Sequence, residues 1–389
     1  MADRIVLNTI SYHGHGAIEN IVPELTARGY KKAFVCSDPD LIKFGVTKKV
    51  TDLLDAANFA YAVYSEIKPN PTIANVQDGV AAFKAAEADC IVTIGGGSSM
   101  DTAKAIGIII NNPEFADVRS LEGVAPTKKH AVFTIAVPTT AGTAAEVTIN
   151  YVITDVEKKR KFVCVDTNDI PEIAVVDPDM MSSMPKGLTA ATGMDALTHA
   201  IESYTSRKRQ PLTDTVALAA VKRIFRYLPT AYSNGSDLTA RSEMVIAALE
   251  AGMAINNASV TLVHGMSRPI GALFHVPHGI SNAMLLEKCL DFALEGDYPG
   301  FAALARAIGA ADTATPDPQA AEALIGAVRE LCKTCQVPTL EEYGIDRTAF
   351  FSAMDKMAED AIASGSPANT MKPVTKADVI RIYRSLWDR

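Results

Sequence analysis

The sequence contains only six cysteines in 389 residues, and their spacing indicates no redox or closed zinc site. Cys332 and Cys335 form a CxxC, but no second CxxC or neighbouring histidine is present to complete a zinc site or a thioredoxin-like motif. The other four stand singly, three of them in apolar runs that are typical of core positions. We therefore interpret the CxxC as two cysteines at the end of a helix.

The sequence also lacks a long apolar run and an excess of positive charge. No apolar run reaches the roughly 20 residues of a membrane-spanning helix. The formal net charge is −8, whereas nucleic acids and anionic membranes favour a basic protein surface. We therefore expect neither nucleic acid nor a membrane as a partner. The first ten residues lack the basic and apolar regions of a signal peptide, so we expect a cytoplasmic location.

The chain is longer than one hydrophobic core usually serves, and its two halves have different patterns. The first half alternates short apolar runs, such as KKAFVCSD and CIVTIGGG, with helical periodicity. This alternation predicts an α/β domain with a parallel sheet covered on both faces, over residues 1–184. From Pro185 onward the periodicity is helical, which predicts an all-α domain over residues 185–389.

A glycine-rich loop follows the run CIVTI, and a helical pattern begins directly after it. Glycines permit close approach of a ligand to the backbone, and helix N-termini attract phosphate. The loop departs from the usual GxGxxG fingerprint because Met100 occupies the place of the third glycine. Phosphate binding and a simple tight turn are both consistent with this loop alone.

A second loop, PTTAGTAAEVT, also follows an apolar run and is rich in threonine. Two small polar loops at strand ends are what a dinucleotide site on an open α/β sheet requires. Asp38 ends an earlier strand pattern, where a carboxylate accepts hydrogen bonds from a ribose and repels the 2′-phosphate of NADP. The alternative for Asp38 is a turn residue before Pro39.

The stretch GMDALTHAIESY places Asp195 and His199 four residues apart, on one face of an apolar helical pattern. A buried polar pair of this kind is either a hydrogen-bonded structural pair or a pair of metal ligands. His264 and His278 also lie among apolar residues, in LVHGMSRPIGALFHVPHG. One carboxylate and three imidazoles suit a divalent transition metal, and the absence of cysteine favours iron over closed structural zinc.

Four stretches, in this order along the chain, resemble the iron-containing (group III) alcohol dehydrogenase family: GGGSSMDTAKAIG, PTTAGTAAEVT, GMDALTHAIESY and HGMSRPIGALFHVPHG. The resemblance extends over almost the whole chain. It implies the dehydroquinate synthase-like fold, with a Rossmann-like dinucleotide-binding domain, a helical metal-binding domain and the active site between them. It also implies that Asp195, His199, His264 and His278 hold Fe²⁺, with Zn²⁺ possible in the isolated protein.

The resemblance further implies an NAD(H)-linked dehydrogenase or reductase of small primary alcohols and aldehydes. It assigns the pyrophosphate to the glycine loop, which consists of Gly95, Gly96, Gly97 and Ser98. It assigns the ribose to Asp38, and the remaining cofactor contacts to Thr139, Thr140, Thr143, Thr148, Asn70, Asp101 and Lys161. The alternative for Lys161 is a solvated position in the basic turn KKRK. We expect a homodimer or a higher homo-oligomer, as in close relatives.

The chain departs from the family pattern at Arg268. Many relatives have HGMxH where this sequence has HGMSR, so a suspected proton-relay histidine is replaced by a residue that stays protonated. Arg268 is either a packing or phosphate-binding residue, or it binds an anionic aldehyde of the succinic semialdehyde or sulfoacetaldehyde type. In the second case His275, close to His278, is the candidate for proton relay.

Two other functions compete with the dehydrogenase. A lyase of the dehydroquinate synthase type would share the fold, NAD and the metal, but its sugar-phosphate substrate calls for more basic residues than Arg268 and Lys161. A non-enzymatic nucleotide-binding or filament-forming module would not need a complete ligand set. Net consumption of NADH with a simple aldehyde separates the dehydrogenase from both.

Overall fold

The computed structural model describes residues 2–158 and 160–388. The chain divides between Met184 and Pro185 into two compact units. Residues 2–4 group with the second unit, although the sequence predicts that they belong to the first. One reason is that the side-chain amide of Gln210 donates a hydrogen bond to the carbonyl oxygen of Arg4, at 3.0 Å.

The first unit is built on a six-stranded parallel sheet. The strands are β1 (Ile10–His13), β2 (Lys32–Ser37), β3 (Ala60–Tyr64), β4 (Cys90–Gly95), β5 (Thr134–Pro138) and β8 (Ile173–Val176). Their order across the sheet is β1-β8-β5-β4-β2-β3, and every neighbouring pair is parallel. The remaining strands, β6 (Asn150–Asp155) and β7 (Arg160–Val165), form the antiparallel hairpin that the sequence predicts.

The central strands are buried on both faces, which explains their continuous apolar runs. All residues of β4 and β5 are buried. Successive side chains alternate between two core clusters, so that Ile91 packs on one face of the sheet and Val92 on the other. Because parallel strands share one direction, the residues after β2, β4 and β5 emerge along one edge of the sheet.

Five α-helices connect these strands: α1 (Ile21–Ala27), α2 (Pro39–Lys43), α3 (Val46–Ala56), α4 (Ile73–Ala86) and α5 (Gly97–Asn111). The sequence predicts one helix over LIKFGVTKKVTDLLDAA, and this prediction is wrong because the chain breaks between α2 and α3. Gly45 stands at the break with a φ of 75°, a left-handed conformation that glycine adopts without strain. The α/β fold class itself is confirmed.

A buried ammonium group ties α5 to the segment that leads into the hairpin. Lys104 is 2% exposed. Its Nζ donates to the carbonyl oxygen and hydroxyl of Thr148, at 2.5 and 3.0 Å, and to the carbonyl oxygen of Asn150, at 2.9 Å. Three acceptors satisfy all three donors of the ammonium group. Thr148 is therefore an anchor of this loop.

The second unit is helical. It contains α6 (Lys186–Tyr204), α7 (Pro211–Ser233), α8 (Leu238–Asn257), α9 (Leu262–Phe274), α10 (His278–Ala293), α11 (Tyr298–Ala307), α12 (Asp317–Thr334), α13 (Arg347–Ala363) and α14 (Lys376–Ser385). No single helix of the described residues is long and apolar enough to cross a membrane; α8 and α9 pass that test only together, with a bend of 102° between them.

Helix α6 lies at the centre of the helical unit, and α10 approaches it very closely. Every residue of α6 from Thr189 to Tyr204 is buried. A Cβ atom at Gly279, in the first turn of α10, would lie 2.3 Å from the carbonyl oxygen of Ala191 and 3.4 Å from Cβ of Asp195. Only glycine permits this approach, which brings the start of α10 against the face of α6 that carries Asp195.

We expect Gly279→Ala to push α10 away from α6 and to destabilise the protein by about 1–3 kcal/mol, the usual cost of overpacking. The measurement is thermal unfolding, with and without divalent metal. Gly326→Ala on α12 is the matched control, because a Cβ there meets nothing within 4 Å. It should leave stability unchanged or raise it by about 0.4–1 kcal/mol. Equal melting temperatures for the two variants would contradict the close-contact argument.

Candidate metal centre and dinucleotide loops

Three polar side chains lie along one face of the buried helix α6. Asp195, His199 and Glu202 are separated by four and three residues, which is the spacing of helical neighbours. Their side chains are enclosed among apolar residues, and Glu202 is completely buried. Burial of such groups is costly unless each has a partner, so the rest of the unit must supply partners.

Helices α9 and α10 bring two histidines to Asp195. The Nε2 atoms of His264 and His278 lie 3.8 and 3.7 Å from Oδ1 of Asp195. The ring of His199 stacks on that of His264 with centroids 4.7 Å apart, and one ligand atom each from Asp195, His199 and His264 lies within 4.8 Å of the others. The four residues predicted from the sequence to be metal ligands, namely Asp195, His199, His264 and His278, therefore lie close together.

The geometry of this cluster fits a divalent metal ion. Bonds of about 2.1 Å in a tetrahedral site separate the ligand atoms by about 3.4 Å, close to the distances from Asp195 to the two histidines. Nδ1 of His199 is buried and has no hydrogen-bond partner among the described residues. A carboxylate with three imidazoles is also the donor set that iron and zinc accept. The residues present therefore fit the metal that the sequence predicts.

The charges of the cluster suit ligation. Burial lowers the pKa of His264 well below its usual range, and the neighbouring His199 lowers it further, so His264 stays neutral with a lone pair available. Burial raises the pKa of Asp195, but attraction by His199 and His278, with the hydrogen bond from Asn282, outweighs burial and leaves that pKa below its ordinary value. The result is an ionised carboxylate beside a neutral imidazole, as metal binding requires.

Glu202 orients His264 from the side away from Asp195. One carboxylate oxygen of Glu202 lies 2.6 Å from Nδ1 of His264, and the other accepts hydrogen bonds from the Thr261 hydroxyl and the Val263 backbone N–H, both at 2.7 Å. Burial raises the pKa of Glu202, while the donors at Thr261 and Val263 oppose that rise. A proton on Nδ1 leaves Nε2 of His264 free for a metal.

Asn282, one turn after His278 on α10, lies against three of the four proposed ligands. Its amide nitrogen donates to Oδ1 of Asp195 at 2.7 Å, and it lies 3.2 Å from Nε2 of both His264 and His278. Sequence reasoning missed Asn282 and Glu202. The available signal was helical spacing, since Glu202 follows His199 by three residues and Asn282 follows His278 by four.

The two residues predicted to be catalytic lie in different environments. Arg268, one turn after His264, is half-buried, and its Nη1 donates to the Ser366 hydroxyl at 2.9 Å. His275 is exposed and follows the last residue of α9 with a φ of 55°. Neither the exposure nor the backbone conformation of His275 tests its role in proton relay, so that role stays a prediction.

In the α/β unit, the two polar loops pack directly on each other. A Cβ atom at Gly96 would lie 3.3 Å from the Thr140 hydroxyl, and one at Gly97 would lie 3.2 Å from Cγ2 of Thr143. The Thr139 N–H donates to the carbonyl oxygen of Gly95 at 3.0 Å. The glycines therefore leave a space that side chains would fill, beside the N-terminus of α5.

This space has the features of a dinucleotide site. The hydroxyl of Thr140 is buried without a hydrogen-bond partner among the described residues, so it is available to a ligand. The first backbone N–H groups of α5, which begins at Gly97, have no partner within the helix and attract phosphate. The residues present therefore fit the predicted NAD(H).

The remaining predicted cofactor residues lie around these loops. Asp38 caps α2 by accepting the Leu41 N–H at 2.9 Å, and it directly follows β2, the neighbour of β4. The N–H of Asn70 donates to the Ser98 hydroxyl at 3.3 Å, and Lys161 donates to the Asn70 side-chain oxygen at 2.7 Å.

Asp101 and Thr148 are engaged in the fold. Asp101 accepts the Val152 N–H at 3.1 Å, and burial raises its pKa to about 7. Thr148 accepts a hydrogen bond from Lys104. Asp101 and Thr148 therefore stabilise the two polar loops through contacts within the protein.

Comparison with known proteins decides the family. Residues 8–178 match the family model for iron-containing alcohol dehydrogenase, and residues 189–387 match the C-terminal model of the same family. The chain belongs to the iron-containing alcohol dehydrogenase family. It is an iron-dependent, NAD(H)-linked alcohol dehydrogenase or aldehyde reductase, which confirms the reaction class and the cofactors predicted from the sequence.

Individual relatives agree with this assignment. Lactaldehyde reductase of Escherichia coli K12 is 43% identical over 388 residues, covering 100% of both chains. The crystal structure of a 1,3-propanediol oxidoreductase superposes with a TM-score of 0.95, at 35% identity, covering 99% of this chain and 100% of the other. Sulfoacetaldehyde reductase of Bifidobacterium kashiwanohense, solved with NAD⁺, gives a TM-score of 0.87 at 26% identity and covers 99% of each chain.

We expect Glu202→Gln to weaken binding of divalent metal about 10- to 100-fold, as loss of a partner behind a histidine ligand usually does. The amide keeps the size of the side chain but no longer fixes the proton on Nδ1 of His264. Metal affinity is measured by competition with a chelator, using Co²⁺ and Zn²⁺. The control is Glu287→Gln, a surface partner of Arg329. Unchanged affinity in Glu202→Gln would show that Glu202 does not position His264.

Proposed function

We propose that Asp195, His199, His264 and His278 hold Fe²⁺ and that the enzyme interconverts small primary alcohols and their aldehydes with NAD(H). The observation that carries this proposal is the convergence of one buried carboxylate and three imidazoles in the helical unit. In the reducing direction, the carbonyl carbon receives the hydride of NADH and the oxygen receives a proton. The products are the alcohol and NAD⁺, so the step balances.

When bound, the metal supplies Lewis-acid polarisation of the carbonyl oxygen. The protein's own residues prepare that chemistry. Glu202 keeps Nε2 of His264 unprotonated, and Asn282 holds one oxygen of Asp195 by a hydrogen bond. Both restrain the ligands before substrate arrives, and such preorganisation is a large part of catalysis by charge stabilisation.

We propose that the α/β unit binds NAD(H), the cofactor that carries the hydride. We propose that Gly95, Gly96, Gly97 and Ser98 bind the pyrophosphate against the N-terminus of α5, and that Asp38 binds the adenosine ribose. Thr139, Thr140 and Thr143 contact the cofactor beside them, with Asn70 and Lys161 at the edge. Support for the ribose contact comes from the position of Asp38 after β2, since ligands of open α/β sheets bind at the carboxyl ends of strands.

The class of substrate is inferred from the names of the matched proteins rather than from a bound molecule. The matched proteins are named for lactaldehyde, 1,3-propanediol and sulfoacetaldehyde, all short-chain compounds, which supports a short alcohol or aldehyde for this chain. Membership of the family favours the dehydrogenase over a dehydroquinate synthase-type lyase. A homodimer or higher homo-oligomer, and a cytoplasmic location, stay predictions.

We expect His264→Ala to lose bound metal and more than about 99% of NADH-dependent propanal reduction, because one of four proposed ligands is gone and Glu202 loses one of its three partners. Metal is counted by elemental analysis after anaerobic loading with Fe²⁺. His130→Ala, at an exposed position of the other unit, should keep both metal and activity. A His264→Ala enzyme that lost its metal yet turned over at the wild-type rate would refute the assignment.

We expect Asp38→Ser to raise the ratio of kcat/KM for NADPH to that for NADH by about tenfold or more. Serine removes the charge that repels a 2′-phosphate but still caps α2 at Leu41. The ratio is measured with one aldehyde at saturation. Asp40→Asn removes a neighbouring exposed charge and serves as the control. If the ratio were the same in wild type and Asp38→Ser, Asp38 would not contact the ribose.

A further inference from the structure

Arg268 is a cation placed one helical turn from a proposed metal ligand. It follows His264 by four residues on α9, so both side chains project from the same face of the helix. Its side chain is half-buried, which means that it is largely withdrawn from water but still reachable.

The guanidinium of Arg268 is poorly satisfied within the protein. Its hydrogen bond goes to a neutral acceptor, the Ser366 hydroxyl at 2.9 Å, although a guanidinium carries five N–H donors. Among residues 2–158 and 160–388, no carboxylate oxygen lies within 4 Å of it. Burial lowers the pKa of Arg268, and the charge of Glu202 offsets that effect only in part.

Two other half-buried arginines of the helical unit are paired with carboxylates. Arg209 contacts the carboxylates of Asp214 and Asp297, at 2.7 and 3.3 Å. Arg223 likewise contacts two carboxylates, those of Glu243 and Glu250. Arg268 therefore differs from Arg209 and Arg223, which each have two anionic partners, as a partly desolvated cation often does.

The nearest internal anion cannot provide that partner. The two oxygens of Glu202 are already occupied by the Thr261 hydroxyl, the Val263 N–H and Nδ1 of His264. An anionic partner for Arg268 would therefore come from a bound ligand. Planar guanidinium groups bind carboxylate, sulfonate and phosphonate groups by paired hydrogen bonds.

We propose that Arg268 binds the anionic end of the substrate, and that the enzyme prefers short aldehydes and alcohols that carry a carboxylate or sulfonate group. This inference rests on the proposed function, because it takes the carbonyl end of the substrate to react at the His264 cluster. One helical turn rises about 5.4 Å, so the two ends of the substrate are separated by only a few carbon atoms. Ser366 holds the guanidinium in place as a positioning residue.

The test compares anionic with neutral aldehydes in the metal-loaded enzyme. The substrates are sulfoacetaldehyde and succinic semialdehyde on one side, and propanal and lactaldehyde on the other, each with NADH. The quantity is the ratio of kcat/KM for an anionic aldehyde to that for a neutral aldehyde. We expect a ratio well above one in wild type, and a ratio about 10- to 100-fold lower in Arg268→Gln, because charged hydrogen bonds are lost.

Two variants accompany this comparison. Arg268→Lys keeps the charge but loses paired hydrogen bonding, so its ratio should fall between those of wild type and Arg268→Gln. Arg329→Gln, which removes a surface arginine paired with Glu287, should keep the wild-type ratio. Should Arg268→Gln fail to fold by circular dichroism, Arg268→Lys and the wild-type ratio still decide.

A second measurement does not depend on turnover of an anionic aldehyde. Ethanesulfonate and propionate should inhibit propanal reduction competitively in wild type, and Arg268→Gln should raise their inhibition constants about tenfold or more. If both anions fail to inhibit wild type, or if the ratio of kcat/KM is unchanged in Arg268→Gln, the anionic-substrate proposal is wrong while propanal reduction still supports the dehydrogenase. If wild type reduces no aldehyde with NADH, the proposed function itself is wrong.

Discussion

The structure of the helical unit depends on how a buried helix with acidic and imidazole side chains is stabilised. Asp195, His199 and Glu202 lie on α6, where every residue from Thr189 to Tyr204 is buried. Leaving such groups without partners would cost more free energy than a domain of this size can spare. Partners come from α9 and α10, and the remaining lone pairs of the cluster point to a cation. A metal ion held by the four proposed ligands would therefore stabilise this unit as well as supply its chemistry.

Close backbone approach determines the geometry in both units. In the helical unit, Gly279 lets α10 start against α6, which sets His278 and Asn282 beside Asp195. In the α/β unit, Gly96 and Gly97 let the two polar loops pack together next to the N-terminus of α5. In each case the functional atoms belong to other residues, and the glycine determines how near they come. A site built this way is sensitive to single added methyl groups at some distance from the reacting atoms.

Much of the fold could be predicted from the sequence because it depends on short-range patterns, and the convergence of the four proposed ligands followed from the resemblance to the family. Apolar runs locate the strands, and the spacing of Asp195 and His199 places them on one helical face. The break at Gly45 was missed because helical periodicity continues on both sides of it, and only a backbone dihedral shows the interruption. The spacing of Glu202 and Asn282 places each on the ligand face of its helix, but they were missed because their roles as partners of the ligands depend on contacts between α6, α9 and α10.

The ligand cluster has a closed side and an open side, and the residues on each side differ accordingly. Glu202 and Asp195 are essentially inaccessible; both oxygens of Glu202 have partners from the protein, and Oδ1 of Asp195 accepts a hydrogen bond from Asn282. The side chain of His278 is 37% exposed, so access to the cluster is by way of α10. A histidine at position 268 would have added a titratable group beside this cluster, whereas arginine adds a permanent charge. Under the proposal that Arg268 binds an anion, position 268 acts electrostatically, and a proton for the reaction would arrive through solvent or a group such as His275.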